Sequence, residues 1–441
     1  MFTRKALCLL IIPLVIEQIL AVTIGMADTV MVARVGEAAV SGISLVDTIN
    51  ILLINIFSAL ATGGAVVSSQ YLGRQENKNA CIAAKQLLWA ILILSSVIMA
   101  LALIFRNTLL SLIFGHIEAD VMSHAQTYFW LSAISYPFLA IYNSGAALFR
   151  TMGNSKVSMF TSLLMNIINI SGNAILIFGF NMGVAGAGIA SLASRATGAV
   201  IMVILLRNGT NPIHVRDPWK PQFNFSMIKN ILKIGIPNGM ENGMFQIGKI
   251  LVQGLIASFG TAAIAANAVA NNLASIQILP GAAIGLAMIT VVGQCVGAHD
   301  YKQAKMYAIK LMKITYVSMF ALDIFLLAIA TPLIGFYRLS PEASSTAWEL
   351  IVCHTVCAVI FWPSAFTLPN ALRAAGDVKF TMLTSIISMW IFRIGLSYVL
   401  GAWLQLGVLG VWIAMAVDWV FRAALFIQRF LREKWKHRQV I

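Results

Sequence analysis

Apolar residues in this chain run in long blocks, and the breaks between them hold glycine, proline and charge. An α-helix needs roughly 20 apolar residues to cross the hydrocarbon core of a bilayer, since each residue advances it about 1.5 Å. Twelve blocks reach that scale, near 6–32, 41–72, 87–105, 125–149, 158–181, 184–206, 230–257, 264–297, 312–335, 348–372, 380–402 and 407–428. The pattern predicts an all-α membrane protein of twelve transmembrane helices, because a spanning segment must satisfy its own backbone hydrogen bonds.

Composition agrees with the pattern. Hydrophobic residues make up 59% of the 441-residue chain and charged residues 10%, where a soluble domain carries roughly 25% charged. The net charge of +14 invites a nucleic-acid reading until the charges are placed. With a cytoplasmic N-terminus, 23 of the 30 Lys and Arg fall on the termini and the even-numbered connections. Only Arg34, Arg106 and Arg338 fall on the other side, and Arg195, Lys249, Arg393 and Arg422 lie inside blocks. That asymmetry is a positive-inside bias. It predicts an integral protein of the plasma (bacterial inner) membrane with both termini cytoplasmic, partnered by lipid and not by nucleic acid. The opening MFTRKALCLLIIPLV has a basic start like a signal peptide, yet its apolar run is too long and no A-x-A-like site follows, so it is expected to be a retained span. The five cysteines are scattered through apolar segments and read as packing residues.

The chain is also written twice. At an offset of 224, Pro13 falls on Pro237, Glu17 on Glu241, Gly36 on Gly260, Gln70 on Gln294 and Gly73 on Gly297. At 223, ALFRTMGNSKVS lies over NALRAAGDVKFT, pairing Arg150 with Arg373; at 224 again, GVAG (183–186) lies over GVLG (407–410). Each half holds six blocks, so the halves face the same way, as parallel repeats about an axis along the membrane normal. The expected organisation is an N-lobe over 1–206, a polar, proline-containing cytoplasmic linker over 207–229, and a C-lobe over 230–441 ending in a basic tail. Repeat-built transporters carry their sites near the midplane.

The run IPLVIEQ…GMADTVMVARVG, SSQYLGR, LFRTMGNSK, the stretch NIINISGNAILIFGFNMGVAGAGIAS and the second-half NALRAAGDVKF together resemble the multidrug and toxic compound extrusion (MATE) family of secondary transporters, over essentially the whole chain. The resemblance implies a V-shaped pair of six-helix lobes, alternating access, and export of organic cations driven by inward H⁺ or Na⁺, with no cofactor. It also implies a coupling site in the N-lobe built from Asp28, Asn169, Asn173 and Ser191. Na⁺, if it is the coupling ion, would be held by Asp28, Asn169 and Asn173. An Asn stands at 173 where some members have Asp, which leaves the ion open. An acid that some Na⁺-coupled members carry in span 10 is missing here, so no C-lobe cation site of that kind is expected.

The carboxylates carry the remaining chemistry. A charge at the bilayer centre costs a few kcal/mol or more, so Glu17 and Asp28 inside the first block read as functional. Eleven residues separate them, close to three turns and about 16 Å along the axis. Asp28 has no image in the second half, where Val252 stands; Glu17 has Glu241. The two glutamates, with Gln18 and Asn242 beside them, are expected to line a substrate cleft that takes a lipophilic cation. Met26, Met240, Met244 and Phe245 would adapt to its shape. The competing expectation is that the glutamates gate, or bond within their own lobe. Asp418 and Arg422, at i and i+4, are expected to pair locally; Asp47 and Asp323 read as polar glue. An ATP-driven or enzymatic reading fails: GMFQIGKI has Ile250 where a phosphate loop needs Ser or Thr, and no nucleotide-binding domain is present. The surviving alternative is a flippase for lipid-linked precursors, whose anionic cargo would want Lys and Arg. A single chain holds both lobes, so a monomer suffices.

Overall fold

In the computed structural model, which describes residues 2–115, 118–218, 220–438 and 440–441, the breaks between apolar blocks are where helices are capped and ended. The side chains of Met26, Thr29 and His437 also lie outside the described set. Thr3 opens α1 (Arg4–Ala33) by accepting the Ala6 N–H at 3.1 Å, one of the four N–H groups a helix start leaves unpaired. Then follow α2 (Glu37–Gly73), α3 (Asn77–Ile104), the short α4 (Arg106–Phe114), α5 (Ala119–Thr151), α6 (Ser155–Gly179) and α7 (Gly183–Leu206). The second half repeats the order with α8 (Phe225–Ala257), α9 (Thr261–Gln277), α10 (Leu279–Gly297), α11 (Tyr301–Ala328), the short α12 (Ala330–Phe336), α13 (Pro341–Ala374), α14 (Val378–Trp403) and α15 (Gly407–Leu431).

Ten of these, α1, α2, α3, α6, α7, α10, α11, α13, α14 and α15, are long and apolar enough to cross a membrane. The other expected crossings are α5 and α8, which are long at 33 residues each but more polar, and the α9–α10 pair. That pair corrects an expectation: the block 264–297 is two helices, not one. Ile278 is a turn residue between them (φ −87°, ψ −6°) and Pro280 stands in the first turn of α10, because proline has no N–H to give the preceding turn and its ring crowds that turn's carbonyl.

The repeat is visible in the backbone. Gly36 and Gly260, 224 apart, open α2 and α9 at φ +137° and +100°, a region that side chains with a Cβ avoid. Gln75 and His299 (φ 63° and 57°) and Asn181 and Gln405 (φ 53° and 55°) repeat the left-handed turn residues at the same offset. Wider π-helical turns at Ala174–Gly179 and Tyr398–Trp403 also match at 224. A further π stretch, Met389–Gly395, has no counterpart, since residues before Asn173 are regular α-helix. A π turn holds one extra residue, and here the offset passes from 223 to 224. The inserted residue is absorbed as a bulge, a device concentrated at functional sites.

The chain divides into two compact units, residues 2–239 with Ile441, and residues 240–440. In the first, α5 packs along α2, α3 and α7, and α1 along α6. The connecting segment belongs to this unit and is pinned to it: Gln86 donates to the Gln222 carbonyl at 2.6 Å and accepts the Asn224 N–H at 3.0 Å. In the second unit α13 packs on α9 and α15, and α10 on α11.

One helix contact of the first unit needs the absence of a side chain. A Cβ on Gly63 of α2 would stand 2.6 Å from the Ile231 carbonyl and 2.9 Å from the Gly235 nitrogen, both backbone atoms that cannot swing aside. Gly63→Val is therefore expected to lower stability by about 1–3 kcal/mol, the usual range for overpacking, whereas Gly254→Ala, which meets nothing within 4 Å, leaves it unchanged or higher. Thermal unfolding of the two purified variants in one detergent checks this; equal melting temperatures refute the contact.

Candidate functional site

Polar side chains inside the two units gather in three places. The first is an acid–arginine pair, made once in each repeat. Glu17 on α1 takes Arg150 Nη1 at 3.0 Å and the Ser158 hydroxyl at 2.7 Å. In the second unit Glu241 on α8 takes Arg373 Nη2 and the Ser385 hydroxyl, each at 2.7 Å. Both glutamates are buried, at 7% and 8% exposure, so each charge is answered within its own unit. The repeated motifs LFRTMGNSK and NALRAAGDVKF supply the two arginines. Of the bonding modes open to these glutamates in the sequence, the structure holds the one inside the lobe. Around them Gln18, Asn242, Met244 and Phe245 are half-buried, and Met240 is 52% exposed. Met26 belongs to α1, with its side chain outside the described residues.

The second place brings the four expected coupling residues into one relay. Asn173 Nδ2 donates to Asp28 Oδ1 at 2.6 Å and lies 3.3 Å from Asn169 Oδ1; Asn169 Nδ2 donates to the Ser191 hydroxyl at 3.1 Å. Asn169 and Asn173 are nearly fully buried, and the Asn173 carbonyl oxygen has no hydrogen-bond donor. Asn173 is the last α-helical residue before the π turn at 174–179, which places its amide across from α1. A second polar cluster in the same unit holds residues that the sequence reading left out of the site: Asn50 joins Asp47 (3.1 Å), Ser132 (3.3 Å) and Tyr136 (3.0 Å). Arg195, without an identifiable partner in the sequence, donates to Ser135 at 2.6 Å. The available signal was spacing: Asp47 and Asn50 at i, i+3, and Ser132 and Tyr136 at i, i+4, put polar groups on single faces of apolar helices.

The third place is a cavity of about 280 Å³ inside the second unit, adjoined by a chamber of about 200 Å³ that shares Lys249, Asn271, Ser275, Arg393, Trp412 and Met415. The i, i+4 pair Asp418–Arg422 forms as expected, at 2.9 Å and fully buried. Arg393 lies 3.9 Å from the same carboxylate. Among the described residues no group of three or more His, Cys, Asp and Glu could hold a metal ion. Asp323 is fully buried with neither carboxylate oxygen hydrogen-bonded.

A family model described as MatE matches residues 13–175 and again 237–399, the same offset of 224 that relates the two halves. The chain is 28% identical over 429 residues to an uncharacterized transporter, YisQ, of Bacillus subtilis, covering 96% of this chain and 93% of that one. It is 27% identical over 455 residues to a probable multidrug resistance protein, NorM, of Thermotoga maritima, covering 99% and 94%. An outward-facing multidrug resistance MATE family transporter of the MOP superfamily superimposes with a TM-score of 0.89 at 20% identity, covering 99% of this chain and 97% of that one.

The two acid–arginine pairs generate a stability prediction. Breaking a buried pair from one side strands a charge and costs about 3–5 kcal/mol. Glu17→Gln and Arg150→Gln are each expected to lower the melting temperature clearly, and the double variant to lose much less than their sum. Additive losses in that cycle would show that the pair is not coupled.

Proposed function

This chain belongs to the MatE family of membrane transporters, and from that premise we propose that it is a cation-coupled antiporter exporting amphiphilic organic compounds by alternating access, with Asp28 as the coupling acid. The observation that carries the proposal is the relay Asp28–Asn173–Asn169–Ser191, which joins α1, α6 and α7 through one carboxylate. Similarity to probable multidrug resistance proteins such as NorM supports multidrug export as the activity.

The donor pattern favours a proton over Na⁺ as the coupling ion. A hard cation is held by oxygens. Here the Asn173 amide turns its nitrogen, not its oxygen, to Asp28. An ionised Asp28 suits that donor; a proton on it weakens a charge-assisted bond from about 1.5–3 kcal/mol to about 0.5–1.5. Under this proposal a proton from outside neutralises Asp28, the contact to α6 loosens and cargo affinity falls. The emptied transporter then turns inward and releases the proton to the cytoplasm. Coupling asks only that proton and cargo favour different states. Export of organic cations drawn to Glu17 and Glu241 loses support, since each glutamate already carries an arginine.

Everted vesicles loaded under separately imposed pH and Na⁺ gradients, with a panel of cationic, neutral and anionic dyes, test this reading. Transport is expected to follow the pH gradient and to fall at least about tenfold in Asp28→Asn, the loss of a bond worth roughly 1.5–3 kcal/mol, at normal protein levels. Transport driven by Na⁺ alone, or undiminished in that variant, overturns the assignment.

A further inference from the structure

We propose that the cavity of the second unit is an anion site, built at the place in the C-terminal repeat where the N-terminal repeat keeps its acids. The offset of 224 carries Asp28 onto Val252, Asp47 onto Asn271, Ser191 onto Met415 and Arg195 onto Trp419. All four counterparts line the cavity or its adjoining chamber. Asn169 maps to Arg393 within the π stretch that absorbs the inserted residue. The two acids of the first repeat are thus a valine and an asparagine in the second, and a neutral amide has become a guanidinium.

The charge count follows from the contacts. Lys249 Nζ and Arg393 Cζ each lie 5.1 Å from the Phe245 ring centre, and Arg422 Cζ lies 5.6 Å from it. Two carboxylates stand near these cations: Glu241, which Arg373 already pairs at 2.7 Å, and Asp418. Asp418 accepts from Arg422 Nε and from the Ser388 hydroxyl, and lies 3.9 Å from Arg393. No Asp or Glu is among the residues lining the cavity or the chamber. Lys249 makes no ion pair among the described residues and is open at the cavity wall. Two positive charges are left over in an apolar lobe, where an unanswered charge is costly. A ring face relieves part of that cost; an anion answers it.

The walls define the rest of the ligand. Trp412, Trp419, Trp362 and Phe366 line the chamber beside the two cations, and aromatic faces of this kind take a flat apolar body. The volumes suit a small molecule near the lower end of ordinary ligand pockets, roughly 300–1,000 Å³. The ligand is therefore an aromatic organic anion, a carboxylate or sulfonate on a ring system of one or two rings. This inference rests on the export reading, for which it names the charge of the cargo.

Equilibrium binding to the purified full-length chain in nanodiscs of zwitterionic lipid tests it, with no ion gradient present, so its outcome is separate from that of the Asp28 experiment. The probes are 1-naphthoate, the neutral 1-naphthamide and the cationic 1-naphthylmethylammonium, titrated calorimetrically. Naphthoate is expected to bind at least about tenfold tighter than the other two, the scale of one charge-assisted bond. Lys249→Gln should remove most of that preference and Lys249→Glu reverse it in favour of the ammonium, both at a melting temperature no lower than that of the parent chain because the side chain is open and makes no ion pair among the described residues. Naphthoate binding no tighter than naphthamide, or with equal affinity in Lys249→Glu, overturns the proposal.

Discussion

A charge in the hydrocarbon layer has to be answered inside the protein, by an opposite charge, by hydrogen bonds or by a ligand. That constraint sorts the polar residues of this chain into different employments. Glu17 and Glu241 are answered by Arg150 and Arg373 in the units that carry them. Asp418 is answered by Arg422 and Ser388. Asp28 is answered by an amide, a neutral partner that asks less of it. Lys249 is answered by a ring face alone among the described residues.

Duplication and divergence meet in that ordering. The acid–arginine pair and the left-handed turn residues recur in both halves at nearly constant offset. They hold helices together, and two copies of a helical frame need two copies of what holds it. The relay from Asp28 to Ser191 occurs once. Its second-half image has exchanged acids for neutral residues, and its guanidinium stands in a π-bulged segment, at Arg393, while a tryptophan takes the place that matches Arg195. Under the readings proposed above, a duplicated frame with two sites of opposite sign would treat a proton and an organic anion as separate ligands.

Much of this was legible in the sequence because bilayers impose long-range regularity. The all-helical class, the repeat and the relay residues follow from block length, offset and a motif-rich resemblance. The partners of Glu17 and Glu241 were harder. Arg150 and Arg373 stand at the loop end of their helices in motifs that read as connections, and only the fold brings a residue 133 or 132 positions away to each carboxylate. The break at Ile278 escaped because Pro280 sits in an unbroken apolar block, and hydropathy does not register a missing N–H. Tyr136, which donates to Asn50, escaped because a tyrosine in an apolar helix reads as packing. Arg393 escaped because its role depends on a one-residue bulge that shifts its azimuth.

Magnitudes separate the frame from the moving part. A pair of the Glu17–Arg150 kind costs about 3–5 kcal/mol to break from one side, comparable to the whole stability of a marginal domain. A transporter that opened it in every cycle would risk unfolding a lobe. A single amide bond to Asp28 is worth about 1.5–3 kcal/mol while the acid is charged and about 0.5–1.5 once it is neutral. The difference lies within the 1–3 kcal/mol typical of coupling between sites, a factor of roughly 5–150 in affinity. Under the proposed proton coupling, protonating Asp28 would move an equilibrium by the amount that exchange requires, and leave the arginine-bound glutamates to keep each unit intact.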